Sequence, residues 1–230
     1  MRYVILGGSG LVGRGLAGDW ARGGHQVVVV CRHPEKASGM APGVELRRWD
    51  GRTAAGWGDL ADGADAVVNL AGETLGGTNP REVFFQRWTK TKKQEILESR
   101  QNAGRAVVEA VQAARTVPRR LIQMSAVGIY GPHGAEQLDE SSPAGTDFLA
   151  RVCTEWERST QVVETFGVQR IIVRTGLVLT LRGGLFPFLV LPFRLFVGGP
   201  LGSGRQGFPW IHVEDHRRGR CAGGDVVWAL

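Results

Sequence analysis

Residues 3–13, YVILGGSGLVG, specify the architecture of this 230-residue chain. The first four residues are apolar and typical of a buried strand, and the glycines that follow them open a helix. Gly7, Gly10 and Gly13 are spaced for a tight turn, a close approach of the backbone to a ligand, and close packing of the helix on the strand. Because the first N–H groups of a helix attract anions, the stretch predicts a pyrophosphate-binding loop. The residues assigned to it are Gly7, Ser9, Gly10, Leu11, Val12 and Gly13.

Further apolar, β-branched runs alternate with helical patterns along the chain. We predict strands at residues 3–6, 26–31, 44–48, 66–70, 120–124 and 169–174. We predict helices at residues 11–22, about 81–114 and 147–166. This alternation predicts an α/β fold, a doubly wound, Rossmann-type parallel sheet with helices on both faces.

The composition excludes several classes of protein. Hydrophobic residues make up 43% of the chain, which is enough for a core and argues against disorder. The longest apolar stretch, residues 185–197, contains two prolines and an arginine and is shorter than the roughly 20 residues of a membrane-spanning helix. The three cysteines, Cys31, Cys153 and Cys221, are widely spaced and form no metal-ligand pattern. We therefore expect reduced thiols in a cytoplasm and no metal site. The first predicted strand begins at residue 3 with no secretory-type apolar segment in front of it, so we also expect no export.

The charge of the chain suits a small anionic ligand. It has 28 basic and 22 acidic residues, a net charge of +6, and the basic residues are scattered. Scattered basic residues are typical of a solvated surface, and a basic surplus also suits a dinucleotide phosphate. We expect a small-molecule substrate, no nucleic-acid partner and no membrane partner, and the oligomeric state stays open.

The ends of the second and third predicted strands indicate which dinucleotide is bound. An acidic residue at the end of the second strand would suit the ribose 2′-hydroxyl of NAD, but this chain has Arg32. A guanidinium binds phosphate in a forked geometry, so Arg32 predicts NADP(H), with an ordinary surface arginine as the alternative. Trp49 and Asp50 are assigned to the adenine end, and a turn-forming aspartate before Gly51 is an almost equally good interpretation.

Small residues follow the fourth predicted strand, as is required where backbone passes close to a ribose. Leu70, Ala71, Gly72 and Glu73 are assigned to this position. Here the sequence resembles the extended branch of the short-chain dehydrogenase/reductase superfamily, and more narrowly its atypical epimerase-like family, the NAD-dependent epimerase/dehydratase type. The segments that carry the resemblance are NLAGE (69–73), RWT (87–89), ESR (98–100), SAVGIYG (125–131), DFL (147–149) with WE (156–157), RTG (174–176), GGPLGSG (198–204) and WIH (210–212).

The resemblance implies acid–base chemistry beside a hydride carrier, performed by a serine, a tyrosine and a lysine four residues after that tyrosine. The chain has two tyrosines, Tyr3 and Tyr130, and neither has a lysine at that spacing. Leu149 and Cys153 stand where the family has its tyrosine and lysine. Ser125 is therefore the candidate for orienting the substrate oxygen, and Tyr130 or water the candidate proton donor, with structural roles as alternatives. The resemblance also places Thr175, Gly176 and Leu177 beside the nicotinamide.

Other charged residues match family positions less specifically. Glu73 and Arg100 correspond to positions near the cofactor, with an ordinary strand-end carboxylate and a solvated helix charge as alternatives. Lys90, Lys92 and Lys93 form a basic cluster that we expect to face water, with ligand binding as the alternative.

The composition changes after Thr180, where glycine, proline and phenylalanine become dense. We predict an NADP-binding domain at residues 1–180, a partial substrate-binding lobe at 181–215 and an aberrant tail at 216–230. The tail is expected because the resemblance ends at about Asp215 and helical periodicity is lost, as in a truncated or frameshifted chain.

Together these features predict an NADP(H)-binding atypical short-chain oxidoreductase acting on a carbonyl or alcohol of a small, sugar-like substrate. One alternative is a nucleotide-sugar epimerase with tightly held NAD. The other is a regulatory protein that binds NADP(H) without turnover, which the missing tyrosine–lysine pair would permit.

Overall fold

The computed structural model describes residues 1–76, 88–134, 136–200, 202–204 and 207–218. Its main sheet has six parallel strands in the order β3-β2-β1-β4-β5-β6. The strands are β1 (Arg2–Leu6), β2 (Gln26–Cys31), β3 (Val44–Arg48), β4 (Ala66–Asn69), β5 (Arg120–Ala126) and β6 (Gln169–Thr175). The predicted doubly wound α/β fold is confirmed, and the strand order reverses between β1 and β4.

Helices cover both faces of this sheet. The helices of the described residues are α1 (Leu11–Arg22), α2 (Lys90–Ala113), α3 (Phe148–Arg158), α4 (Phe186–Arg194) and α5 (Val213–Arg218), of which α1 packs on one face and α2 on the other. Successive side chains of a strand point to opposite faces. Val4 and Leu6 of β1 therefore pack with Ala106 of α2, whereas Ile5 packs with Ala17 of α1. Because all six strands are parallel, their carboxyl ends lie at one edge of the sheet.

Two predicted helices have different ends from those expected. α2 begins at Lys90 because the side chain of Thr89 accepts a hydrogen bond from the N–H of Lys92 and caps it. Residues 81–87, which were predicted as its first turns, lie outside the described residues. α3 ends at Arg158, and a short 3-10 helix, Gln161–Phe166, follows. Ser159 is the C-cap residue of α3, and its hydroxyl donates a hydrogen bond to the carbonyl of Trp156.

A second, two-stranded parallel sheet was not predicted. It pairs β7 (Leu177–Leu179) with β8 (Trp210–His212), and each strand has only three residues. The backbone of Gly176 lies so close to Pro209 that a Cβ would be 2.9 Å from its carbonyl oxygen. The pairing joins residues on either side of position 180, and the division into domains stays a prediction.

The C-terminal part of the described chain is helical. α5 extends to residue 218, inside the segment predicted as an aberrant tail, and Arg217 pairs with Asp19 of α1 at 2.6 Å. Residues 219–230, which include Cys221, lie outside the described residues, as do Arg87 and Leu201. In the described ranges no helix combines the length and the apolar character required to cross a membrane.

Candidate functional site

A cavity of about 240 Å³ lies at the carboxyl ends of β1, β2 and β4. This is the edge at which the strand order reverses, where open α/β sheets bind their ligands. The cavity is lined by Gly7, Ser9, Gly10, Cys31, Arg32, Trp49, Gly51, Leu70, Ala71, Gly72, Glu73 and Ser99. Nine of these were predicted as cofactor residues, and the three that were not are Cys31, Gly51 and Ser99. The predicted cofactor residues that do not line it are Leu11, Val12, Gly13, Asp50, Thr175, Gly176 and Leu177.

The glycine loop fits tightly between neighbouring segments. Gly7 has a φ of +71°, and a Cβ there would lie 2.9 Å from the Cα of Ala71. The N–H of Gly10 donates to the Gly7 carbonyl at 3.1 Å and closes the turn. A Cβ on Gly13 would lie 2.4 Å from the Cα of Gly8. Side chains at these glycines would therefore separate the glycine loop from α1 or from residues 70–73, which follow β4 and are called the β4 loop below.

The start of α1 fits an anionic group. Gly10 is the N-cap residue, and it has no side chain that could accept hydrogen bonds from the N–H groups of the first turn. These N–H groups, at Leu11, Val12 and Gly13, lie at the positive end of the helix dipole. The Leu11 side chain itself turns away from the cavity, toward Gly184, whose Cβ would lie 3.2 Å from it. The loop residues therefore fit a pyrophosphate, as a dinucleotide carries.

Arg32 and Glu73, which line the cavity, form a charged cluster with Lys92. The Glu73 carboxylate lies 3.0 Å from Lys92 Nζ and 3.7 Å from an Nη atom of Arg32. Partial burial disfavours the charge of Lys92, but Glu73 outweighs it and raises the pKa of Lys92 above its usual value. The expectation that Lys92 simply faces water is wrong, because its side chain is only 21% exposed and pairs with Glu73, a residue 19 positions away.

Arg100 holds the β4 loop in place through a hydrogen bond and a packing contact. This arginine of α2 is 7% exposed, and it donates to the carbonyls of Glu73 at 3.1 Å and Ile96 at 3.0 Å. Its guanidinium packs against Gly72, where a Cβ would be 3.0 Å from Cζ, and lies over the ring of Trp156. Burial lowers the pKa of Arg100 from its usual value. Arg100 is therefore a buried support for the loop, and the alternative of a solvated helix charge is wrong.

The Ser125 hydroxyl is buried near the end of β5. Within the described residues it has no hydrogen bond of ordinary geometry, although it lies close enough to the Cys153 thiol of α3 to influence it. Burial raises the pKa of the Cys153 thiol, against the effect of the nearby Arg100 charge. A thiol held neutral in this way is a packing residue, as a small apolar side chain would be.

Tyr130 belongs to a different network. It lies in a short 3-10 helix, Val127–Tyr130, and its hydroxyl accepts a hydrogen bond from Arg174 at 3.0 Å. Arg174 also makes a forked pair with Glu157, at 2.9 and 3.0 Å, and these bonds raise the pKa of Arg174. Tyr130 is buried and does not line the cavity at the glycine loop.

The two residues after β3 have different roles: Trp49 lines the cavity, and Asp50 stabilises a turn. Trp49 lines the cavity, and its Nε1 donates to the carbonyl of Thr53 at 2.8 Å. Asp50 accepts hydrogen bonds from the N–H groups of Arg52 and Thr53 instead. Slight burial opposes the charge of Asp50, but these hydrogen bonds lower its pKa overall. The turn interpretation of Asp50 describes this geometry.

The lining residues that sequence reasoning missed are adjacent to those it found. Cys31 immediately precedes Arg32, and a Cβ on Gly51 would be 3.3 Å from Cδ of Arg32, so Gly51 makes room for that side chain. Ser99 accepts a hydrogen bond from the N–H of Glu73 at 2.9 Å. Ser99 lies in the ESR segment (98–100), which carries the family resemblance, so that motif could have identified it.

Residues 3–222 match the model of the NAD dependent epimerase/dehydratase family. An epimerase family protein of Bacillus subtilis, YfhF, is 36% identical over 216 residues, covering 94% of this chain and 67% of the relative. The human epimerase family protein SDR39U1, crystallised with NADPH, superposes with a TM-score of 0.77 at 35% identity, covering 94% of this chain and 67% of that one. A nucleoside-diphosphate sugar epimerase from Corynebacterium glutamicum gives a TM-score of 0.73 at 35% identity over 94% of this chain and 42% of that one.

The range matched by the family model includes every residue that lines the cavity. The matched range begins in β1, before the glycine loop, and extends beyond α5. The chain spans about two thirds of the length of the Bacillus and human relatives. This chain belongs to the NAD dependent epimerase/dehydratase family.

Proposed function

We propose that this chain binds NADP(H) in the cavity and acts as an atypical short-chain oxidoreductase on a carbonyl or alcohol group of a small, sugar-like substrate. The observation that carries the proposal is that Arg32 and the glycine loop line one cavity. A guanidinium matches the geometry of a phosphate, which NADP carries and NAD lacks at this ribose. The human relative crystallised with NADPH supports this choice of cofactor.

The described residues suit different parts of the cofactor. Ser9, Gly10 and the uncapped start of α1 would hold the pyrophosphate, and Arg32 the 2′-phosphate. Trp49 and Leu70 would pack against the adenosine. We assign Thr175, Gly176 and Leu177 to the nicotinamide end. With NADP(H) bound, the site gains a hydride carrier that exchanges with a carbonyl or alcohol carbon.

We assign the orientation of the substrate oxygen to Ser125. Its hydroxyl is buried at the carboxyl end of β5 and can donate a hydrogen bond. The proton donor in this proposal is Tyr130, with a water molecule as the alternative. The oxygen of Tyr130 accepts from Arg174, which leaves its own O–H to donate.

Calorimetric titration of NADPH and NADH tests the cofactor proposal. We expect NADPH to bind more tightly, and Arg32→Ala to weaken NADPH roughly ten- to a hundredfold through the loss of charge-assisted hydrogen bonds. NADH binding should be largely unchanged. Arg47→Ala is the matched control, because Arg47 pairs with Glu45 on β3 and does not line the cavity. Equal NADPH and NADH affinities in the wild type would contradict the proposal.

A non-catalytic NADP(H)-binding protein is a second candidate. It is favoured by Leu149 and Cys153, which lie on α3 and cannot replace a tyrosine and a lysine in proton transfer. A panel of carbonyl substrates separates the two candidates. An enzyme should consume NADPH with at least one substrate, and Ser125→Ala should slow that turnover by about a hundredfold without changing NADPH affinity. Tight NADPH binding without consumption across the panel would favour the binding protein.

The nucleotide-sugar epimerase alternative has support in the name of the Corynebacterium relative. Arg32 argues against it, because an epimerase with tightly held NAD has no phosphate for this side chain. The calorimetric titration decides this alternative as well, since it requires NADH to bind more tightly than NADPH. The cytoplasmic location and the division into residues 1–180 and 181–215 stay predictions.

A further inference from the structure

The Glu73 carboxylate connects two cations across the cofactor cavity. Its Oε1 atom is 3.0 Å from Nζ of Lys92, and its Oε2 atom is 3.7 Å from Nη2 of Arg32. Lys92 comes from the first turn of α2, Arg32 follows β2, and Glu73 follows β4. The three side chains therefore come from three different elements, and two of them, Arg32 and Glu73, line the cavity.

The two cations hold Glu73 unequally. The Lys92 side chain is 21% exposed and makes a hydrogen bond, whereas the Arg32 side chain is 62% exposed and lies beyond hydrogen-bonding distance. An exposed ion pair of the second kind contributes about 0–1 kcal/mol. Arg32 is therefore the partner that can leave Glu73 while Lys92 keeps the carboxylate in place.

We propose that Glu73 sets cofactor specificity by competing with the 2′-phosphate of the dinucleotide for Arg32. The inference rests on the proposed function, because it requires NADP(H) in this cavity. A phosphate accepts two parallel hydrogen bonds from a guanidinium, which the carboxylate at 3.7 Å does not. Binding of NADPH thus exchanges one anion for another on Arg32, and Glu73 stays beside Lys92.

This exchange affects the two cofactors differently. When the phosphate lies on Arg32, the Glu73 carboxylate is close to it, and like charges repel. NADH presents a hydroxyl at this position and leaves the pair of Arg32 and Glu73 intact. Glu73 therefore reduces the preference for NADPH below the value that Arg32 alone would give.

The test is calorimetric titration of NADPH and NADH into the wild type, Glu73→Gln and Glu95→Gln, each with and without Arg32→Ala. Glutamine keeps the shape of Glu73 and can still accept a hydrogen bond from Lys92. Glu95 is the matched control, since it lies 3.6 Å from Lys92 but does not line the cavity. We expect Glu73→Gln to tighten NADPH binding roughly two- to fivefold, with NADH and the Glu95→Gln protein unchanged. The gain should disappear in the Arg32→Ala background, as coupled residues require.

Weaker NADPH binding by Glu73→Gln would overturn the inference, because Glu73 would then contact the cofactor itself. A gain of equal size without Arg32 would also overturn it, since the effect would come from net charge. Wild-type protein that binds NADPH no better than NADH contradicts the proposed function, whereas wild-type protein that prefers NADPH but shows no gain in Glu73→Gln contradicts the inference alone. Raising the ionic strength should shrink the gain, because salt screens exposed charges.

Discussion

Gly13 and Gly15 lie in the same helix but meet different neighbours. A Cβ on Gly13 would lie 2.4 Å from backbone of the glycine loop, whereas on Gly15 it would lie 2.8 Å from the side chain of Arg217. Backbone cannot give way unless α1 moves, so we expect Gly13→Ala to lower the free energy of unfolding by about 1–3 kcal/mol. Gly15→Ala should change it by less than about 1 kcal/mol, because higher helix propensity offsets the shift of Arg217. Urea denaturation measures both, and equal losses would contradict this explanation.

Arg100 is a single residue on which the β4 loop depends. Replacement by leucine removes the donors of the Glu73 and Ile96 carbonyls, and we expect a loss of about 1–3 kcal/mol in the free energy of unfolding. NADPH binding should weaken as well, because the loop lines the cavity. Arg105→Leu is the control, since Arg105 is exposed on the same helix. If both variants kept wild-type NADPH affinity, Arg100 would have no positioning role.

At the scale of elements, α2 begins where a threonine caps it. Thr89 accepts a hydrogen bond from the N–H of Lys92 at 3.2 Å, so Thr89→Ala should lower the free energy of unfolding by about 1 kcal/mol. Thr91, exposed inside the first turn, is the matched control, and Thr91→Ala should be neutral or slightly stabilising. Urea denaturation compares the two variants, and a larger loss for Thr91→Ala would contradict the assignment of the cap.

The elements also show which features could be predicted from the sequence. β2, β3 and α1 have the predicted bounds because each is defined by a local pattern and a nearby glycine or charged residue. The two-stranded sheet could not be predicted, since three-residue strands carry no periodicity. The pairing of Lys92 with Glu73 was also missed, because it depends on how α2 packs beside β4. Local motifs thus located the cavity, and tertiary packing arranged its charges.

At the scale of the whole molecule, pH should act on stability through His216. Burial lowers the pKa of this imidazole to about 4, from the usual value near 6.5. Between these values the unfolded chain binds a proton that the folded chain does not, so stability present above about pH 6.5 is lost as the pH falls toward 4. We expect His216→Gln to remove up to about 3 kcal/mol of this acid sensitivity. Urea denaturation at neutral and acidic pH measures it, with His33→Gln, an exposed histidine, as the control.

The parallel strand order also determines when the cavity can form during folding. β1, β2 and β3 pair within the first 48 residues and bring together the glycine loop and Arg32. The other wall, at Glu73, arrives only when Ala66 of β4 pairs with Tyr3 of β1, across more than 60 residues of chain. Such long-range closure slows folding. A ligand of this cavity would therefore bind only after β1 and β4 have paired, and its binding would report this long-range step rather than the local pairing of the first three strands.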